Sequence, residues 1–217
     1  PTAVDVSVRV TDDQGAVNDA GIQLSLDNTP PLVEILQPAE GSPYPVGPSA
    51  PVNLIAAVSD AEHGPGELSY EWQVVLHHNE HVHFGPVLSS VSPETSLSAD
   101  GCDGDIHFVD VRLTVTDAAG LSTTAINYLP PECDCNMNGE DDAVDITANP
   151  SLDGNGDGRP DLCNLDCNAN GVSDVFEVFM GRLRDSNGNG VPDACEPDGQ
   201  PLPDWGGHGP TPPLLPT

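Results

Sequence analysis

Between Asp134 and Glu196 the chain repeats itself, and each copy of the repeat carries two acidic, glycine-centred loops. DCNMNGEDDAVDITANPSLDGNGDGRPDLCN (Asp134 to Asn164) is followed by DCNANGVSDVFEVFMGRLRDSNGNGVPDACE (Asp166 to Glu196). So few apolar residues cannot offset the entropy of ordering such a stretch, so ions and cross-links must do it. A loop of this kind holds Ca²⁺ when side-chain oxygens fall at positions 1, 3, 5, 9 and 12. A backbone carbonyl points inward at position 7, and glycine at position 6 makes the turn. The first loop supplies Asp134, Asn136, Asn138, Gly139, Glu140 (carbonyl), Asp142 and Asp145. The third supplies Asp166, Asn168, Asn170, Gly171, Val172 (carbonyl), Asp174 and Glu177, and the fourth Asp185, Asn187, Asn189, Gly190, Val191 (carbonyl), Asp193 and Glu196. In the second, Asp153, Asn155, Asp157, Gly158, Arg159 (carbonyl) and Asp161 fit, but position 12 is Asn164, so that site is weaker or borrows a carboxylate from elsewhere. The expectation is three to four calcium ions.

The rest of the composition agrees with a cation-binding chain. A formal net charge of -30 excludes a phosphate-neutralising surface, so nucleic acid is not an expected partner. Six cysteines in a chain with spaced repeats point to three disulfides and an oxidising compartment, hence an extracellular or cell-surface location. No apolar run is long enough to span a membrane. The chain begins at Pro1 without a signal peptide, which reads as a processed product or a fragment.

Upstream of the repeats the periodicity changes to that of strands. VDVSVRV puts Val4, Val6, Val8 and Val10 on one face, DDQG turns the chain, and GIQLSL alternates again, which makes a β-hairpin. The same signal returns: VTDDQG (Val10 to Gly15) recurs as VTDAAG (Val115 to Gly120), preceded by Val109, Val111 and Leu113 in register. Between the two hairpins PPLVEILQP, PVNLIAAVSD, ELSYEWQVVLHH and DIHFVDVRLTV read as short strands spaced as in a β-sandwich, with Trp72 in phase with Tyr70, Val74 and Leu76. The stretch from about 30 to 130, with its Glu71-Trp72 pair and closing VTDAAG, resembles the PKD family of immunoglobulin-like domains. That resemblance implies an immunoglobulin-like sandwich in a secreted bacterial protein. Cys102 has no cysteine in the second strand to pair with, so the inter-sheet disulfide of antibody domains is not expected.

The acidic loops resemble dockerin repeats, EF-hand-like loops and thrombospondin type-3 repeats, all calcium-binding extracellular modules. DVFEVFMGRL suits the helix of a dockerin, whereas RPDLC and VPDAC suit the disulfide-bearing type-3 style. Equivalent places in the two repeats pair Cys135 with Cys163 and Cys167 with Cys195, leaving Cys102 with Cys133 to tie the sandwich to the calcium module. The expected fold is therefore mainly β. A terminal β-hairpin of a preceding or partner-completed sandwich (1–28) comes before a PKD-like sandwich (29–131), a small disulfide-bonded, loop-rich calcium module with short helices (132–197) and a Pro-rich tail (198–217).

Two further groups of residues invite a metal reading. LHHNEHVHF carries His77, His78, His81 and His83, with His107 at a strand start; His77, His81 and His83 are candidates for Zn²⁺ or Cu²⁺, against a reading as polar surface. Asp60 and Glu62, at a strand end, are either an interdomain calcium set or a charged turn. A zinc reading of the cysteines competes with hard-oxygen loops beside them. No nucleophile elbow, phosphate loop or recognisable carboxylate pair appears, so an enzyme is not expected. The leading expectation is an extracellular, calcium-stabilised structural or adhesive protein. In its filament form it self-associates, or joins a neighbouring extracellular protein, by strand exchange through Pro1 to Asn28 and the Pro-rich tail. The alternative is a non-catalytic module of a larger secreted enzyme that binds carbohydrate or a cohesin-like partner.

Overall fold

The computed structural model describes residues 2–47, 50–97 and 100–196. The Pro-rich tail lies outside the described residues. The chain opens with a two-stranded antiparallel ribbon, β1 (Thr2–Thr11) and β2 (Val17–Leu26). Its turn is closed by Asp12, whose Oδ1 accepts from the Gln14 and Ala16 amides at 2.9 and 2.8 Å, with Gly15 at φ 84°. A positive φ there suits glycine, which has no Cβ to clash.

The body that follows is antiparallel and built on one interior. Strands β3 (Leu32–Gln37), β4 (Ala50–Asn53), β5 (Ile55–Ser59), β6 (Ser69–His78), β7 (His81–Phe84), β8 (Glu94–Leu97), β9 (His107–Thr116) and β10 (Ser122–Leu129) follow in order. They form a four-stranded sheet in the order β10-β9-β6-β7 and two ladders, β3-β5 and β4-β8. Both ladders and the large sheet share one apolar cluster, in which Trp72 is fully buried among Ile35, Tyr44, Leu54, Leu97, Val111 and Leu113. The expected phase of Trp72 with Tyr70, Val74 and Leu76 is met, since all four belong to that cluster.

Strand β9 is buried on both faces along its first half, which sets the architecture. Val109, Val111, Leu113 and Val115 face the shared interior; His107 and Phe108 precede them, and Phe108 faces outward. On the outer face Phe108 packs with Met137, Val172, Phe176, Phe179 and Met180 from the repeat segment, so the repeats dock on the sheet. The docking helix is α2 (Asp174–Phe179), which follows α1 (Asp142–Ala148). The Asp141 carboxylate caps α1 by accepting from the Ala143 amide, and acidic first turns suit the positive end of both helices. Gly181, at φ 68°, ends the second. All six cysteines are paired as expected: Cys102–Cys133, Cys135–Cys163 and Cys167–Cys195. The first joins the sheet body to the start of the repeats.

Candidate metal centres

The four loops share one construction, position by position. The amide of the position-6 glycine donates to the position-1 aspartate: Gly139 to Asp134, Gly158 to Asp153, Gly171 to Asp166 and Gly190 to Asp185, at 2.7 to 2.9 Å. Those glycines have φ between 81° and 92°, so the turn needs them. Position 3 (Asn136, Asn155, Asn168, Asn187) accepts from the amide of position 5. Position 5 (Asn138, Asp157, Asn170, Asn189) accepts in turn from the amide of position 7, which is Glu140, Arg159, Val172 or Val191. Positions 3, 5 and 12 are then linked side chain to side chain. Asn136 and Asn138 donate to Asp145, Asn168 and Asn170 to Glu177, and Asn187 and Asn189 to Glu196. Sequence positions 1, 3, 5 and 12 thus converge in these three loops.

Position 9 has, in addition, a backbone role that spacing alone does not show. Asp142, Asp161, Asp174 and Asp193 each accept the backbone amide of position 2: that of Cys135, Gly154, Cys167 and Ser186 respectively. Each aspartate thereby pins the start of its loop, and in loops one and three the pinned residue is a disulfide cysteine. The repeat of this contact in all four copies is a feature that position counting missed. Asp174 keeps a free hand: Oδ2 takes the Cys167 amide while Oδ1 is buried with no hydrogen-bond partner. In the second loop polarity is reversed at position 12, where the Asn164 amide donates to Asp157 at 3.0 Å.

The electrostatics are those of a site short of positive charge. Burial, reinforced by Asp145 and opposed by the amides of Gly139, Asn138 and Met137, pushes the Asp134 carboxyl up to about 6. Burial also pushes Asp142 up to about 7, with Asp134 adding to it and the Cys135 amide and Arg159 opposing. Asp174 is raised for the same first reason. A hard divalent cation relieves such crowding, and carboxylate, amide and carbonyl oxygens are the donors Ca²⁺ takes. The residues fit that ion in loops one, three and four, and less well in loop two. The cysteines do not fit zinc, because disulfide sulfurs are not thiolate ligands.

The histidines divide between two faces. His77 is buried, stacks on Phe108 at 4.1 Å and meets Asp110 at 2.6 Å, with Arg112 holding the other side of that carboxylate. His78 stands on the opposite face of β6, stacked on His107 at 4.5 Å and near His81 and His83, and bonded to Asp105 at 3.0 Å. His77 is therefore not brought together with His81 and His83, whereas His78 is, with His107 stacked on it. Among the described residues, no three of these histidines present ring nitrogens close enough to share an ion.

Fold and site together define a mainly β, three-disulfide chain with a docked array of four acidic loops. Among the described residues no helix is long and apolar enough to cross a membrane. Compared with known proteins, the chain matches no family model and no curated protein.

Proposed function

We propose that this is an extracellular, calcium-stabilised structural or adhesive protein, a non-enzyme in which a PKD-like, immunoglobulin-like sandwich is stiffened by type-3-style calcium loops. It acts as a repeating subunit of a surface filament, joined to its neighbours by strand exchange at the first hairpin. One observation carries this reading: β1-β2 duplicates β9-β10 in register, yet lacks its cover. Thr11 stands opposite Val17 as Thr116 stands opposite Ser122, and Val4 opposite Leu24 as Val109 opposite Leu129. Asp117 closes its turn through the Ala119 and Leu121 amides just as Asp12 closes the first. In β9 the valine stripe is at most 1% exposed, while Val8 and Val10 are 59% and 62% exposed. β6 lies along the far edge of β9, but among the described residues no strand lies along the far edge of β1. An apolar face with an open edge is what strand addition uses.

The docking-tag alternative is less favoured by the helices, since Phe176 and Phe179 of α2 are spent against the sheet. The test is assembly of the full chain in calcium, followed by sedimentation and electron microscopy. Concentration-dependent oligomers that Val8→Asp abolishes are expected; a chain that stays monomeric at all concentrations with its hairpin unprotected sinks the reading.

A further inference from the structure

A second kind of cation site, unlike the repeat loops, lies where the first hairpin joins the body. Asp60 directly follows β5, Asp117 directly follows β9, and Asn28 lies just past the end of β2. One ligand atom each from Asp60, His63 and Asp117 lies within 4.8 Å of the others. The Asp60 and Asp117 side chains are wholly buried and that of His63 nearly so. Asp60 Oδ1 accepts from the Glu62 and His63 amides at 2.9 and 2.7 Å, and its Oδ2 is buried with no partner. Asn28 Nδ2 donates to Asp117 Oδ2 at 2.7 Å, which draws the Asn28 head to the group; its Oδ1 is also buried without a partner. Two buried carboxylates, one with an orphan oxygen, call for a cationic partner, because burying unpaired negative charge is costly and an unmet acceptor adds its own desolvation penalty. No arginine supplies one: among the described residues, none pairs with Asp60 or Asp117.

We propose that Asn28, Asp60, His63 and Asp117 form a divalent-cation site that clamps the hairpin root to the sheet body. It does not depend on the calcium or filament reading above. The donor set is two carboxylates, one amide oxygen and one imidazole nitrogen. His63 Nδ1 already sits 3.2 Å from Asp60 Oδ1 and 3.9 Å from Asp117 Oδ2. Oxygen donors suit hard ions and imidazole suits first-row ions, so an ion that accepts both, of the Mn²⁺ kind, satisfies the whole set. Glu62 completes the junction from outside by accepting from the Thr29 amide and hydroxyl at 3.1 and 2.8 Å, holding the link beside the same loop.

The test uses the full chain, stripped of metal and titrated with MnCl₂ alone. Paramagnetic Mn²⁺ in this site broadens the His63 imidazole signals beyond detection, and Asp60→Asn restores them while keeping the amide contacts of Oδ1. By elemental analysis wild type retains one ion per chain more than Asp60→Asn or Asp117→Asn. Asp166→Asn, in a repeat loop, leaves the His63 broadening intact. Hydrogen exchange in β6 verifies that the variants remain folded. Sharp His63 signals with Mn²⁺ in excess over the chain, or equal ion counts in wild type and both junction variants, overturn the site.

Discussion

Phe108→Ala tests whether the repeats and the sheet are one packed unit. The Phe108 ring is buried at their joint: it meets Phe179 edge-on at 5.8 Å and Tyr128 at 6.2 Å, and stacks on His77 at 4.1 Å. Truncating a buried phenylalanine to alanine costs about 3 to 5 kcal/mol, and lost ring pairs fall within that range. None of that loss falls on the inner cluster, because Val109, Val111 and Leu113 point to the other side of β9. The Cys102–Cys133 disulfide keeps the segments joined, so the variant undocks without separating. At about 4 kcal/mol, amide exchange governed by undocking accelerates roughly a thousandfold. Hydrogen exchange in calcium reads this directly: Met137, Val172 and Phe176 amides speed up, and those of Val111 and Leu113 do not. Leu113→Ala is the control, opening the inner cluster and accelerating the strands. Acceleration below tenfold at Phe176, or equal acceleration at Leu113, refutes the shared joint.

Three further outcomes are expected. Chelation with EDTA speeds proteolysis between Asp134 and Glu196 while the circular dichroism of the strands persists; an unchanged digest counts against ion-held loops. Burial raises the Asp110 carboxyl, but hydrogen bonds from His77 and Arg112 outweigh it and hold it below its ordinary range. Its contribution is therefore complete above about pH 4 and is lost as pH falls through the lower folded value. Asp110→Asn flattens that acid limb in urea titrations, and an unaltered limb rejects the assignment. Asn164→Asp supplies the missing carboxylate at position 12 of the second loop, beside Asp157. It lowers stability without calcium, and calorimetry finds one more bound ion with it; an unchanged ion count refutes this.

The parts of the molecule that sequence made legible are those fixed by local chemistry. Loop spacing placed positions 1, 3, 5 and 12 because glycine at position 6 leaves the backbone one economical turn, and repeat equivalence paired the cysteines because equal loops bring equal residues together. Trp72 and the β9 stripe followed from alternation, which reads a face of a strand. What alternation cannot read is a strand covered on both faces by partners distant in sequence. Phe108 and the apolar side of DVFEVFMGRL cover each other, and neither stretch names its partner in sequence. His77, His81 and His83 lie in one short stretch, but neighbouring residues in a strand point to opposite faces: His78 takes the side of His81 and His83, and Asp110 holds His77 on the other. Position 9 escaped for another reason: a carboxylate three residues before position 12 suits both a cation and an amide, and only packing decides which it meets.

The duplicated hairpin shows how the same local code yields different outcomes in different surroundings. β1-β2 and β9-β10 share register, turn chemistry and an apolar stripe, so local propensity makes both hairpins. A two-stranded ribbon is marginal alone in water, and β9 is secured by β6 along its edge and by α2 behind it. Among the described residues β1 has neither, but the hairpin's root is held at two points. Asn28 bonds to Asp117 in the β9-β10 turn, and Thr29 bonds to Glu62 in the loop that also carries Asp60 and His63. Fixing the root sets where the exposed valine stripe points, and an aimed apolar strand pairs with a partner at a smaller entropic cost than one on a free link. A held root beneath an uncovered strand suits the directional assembly proposed above, and the orphan oxygens of Asp60 and Asn28 lie at that root.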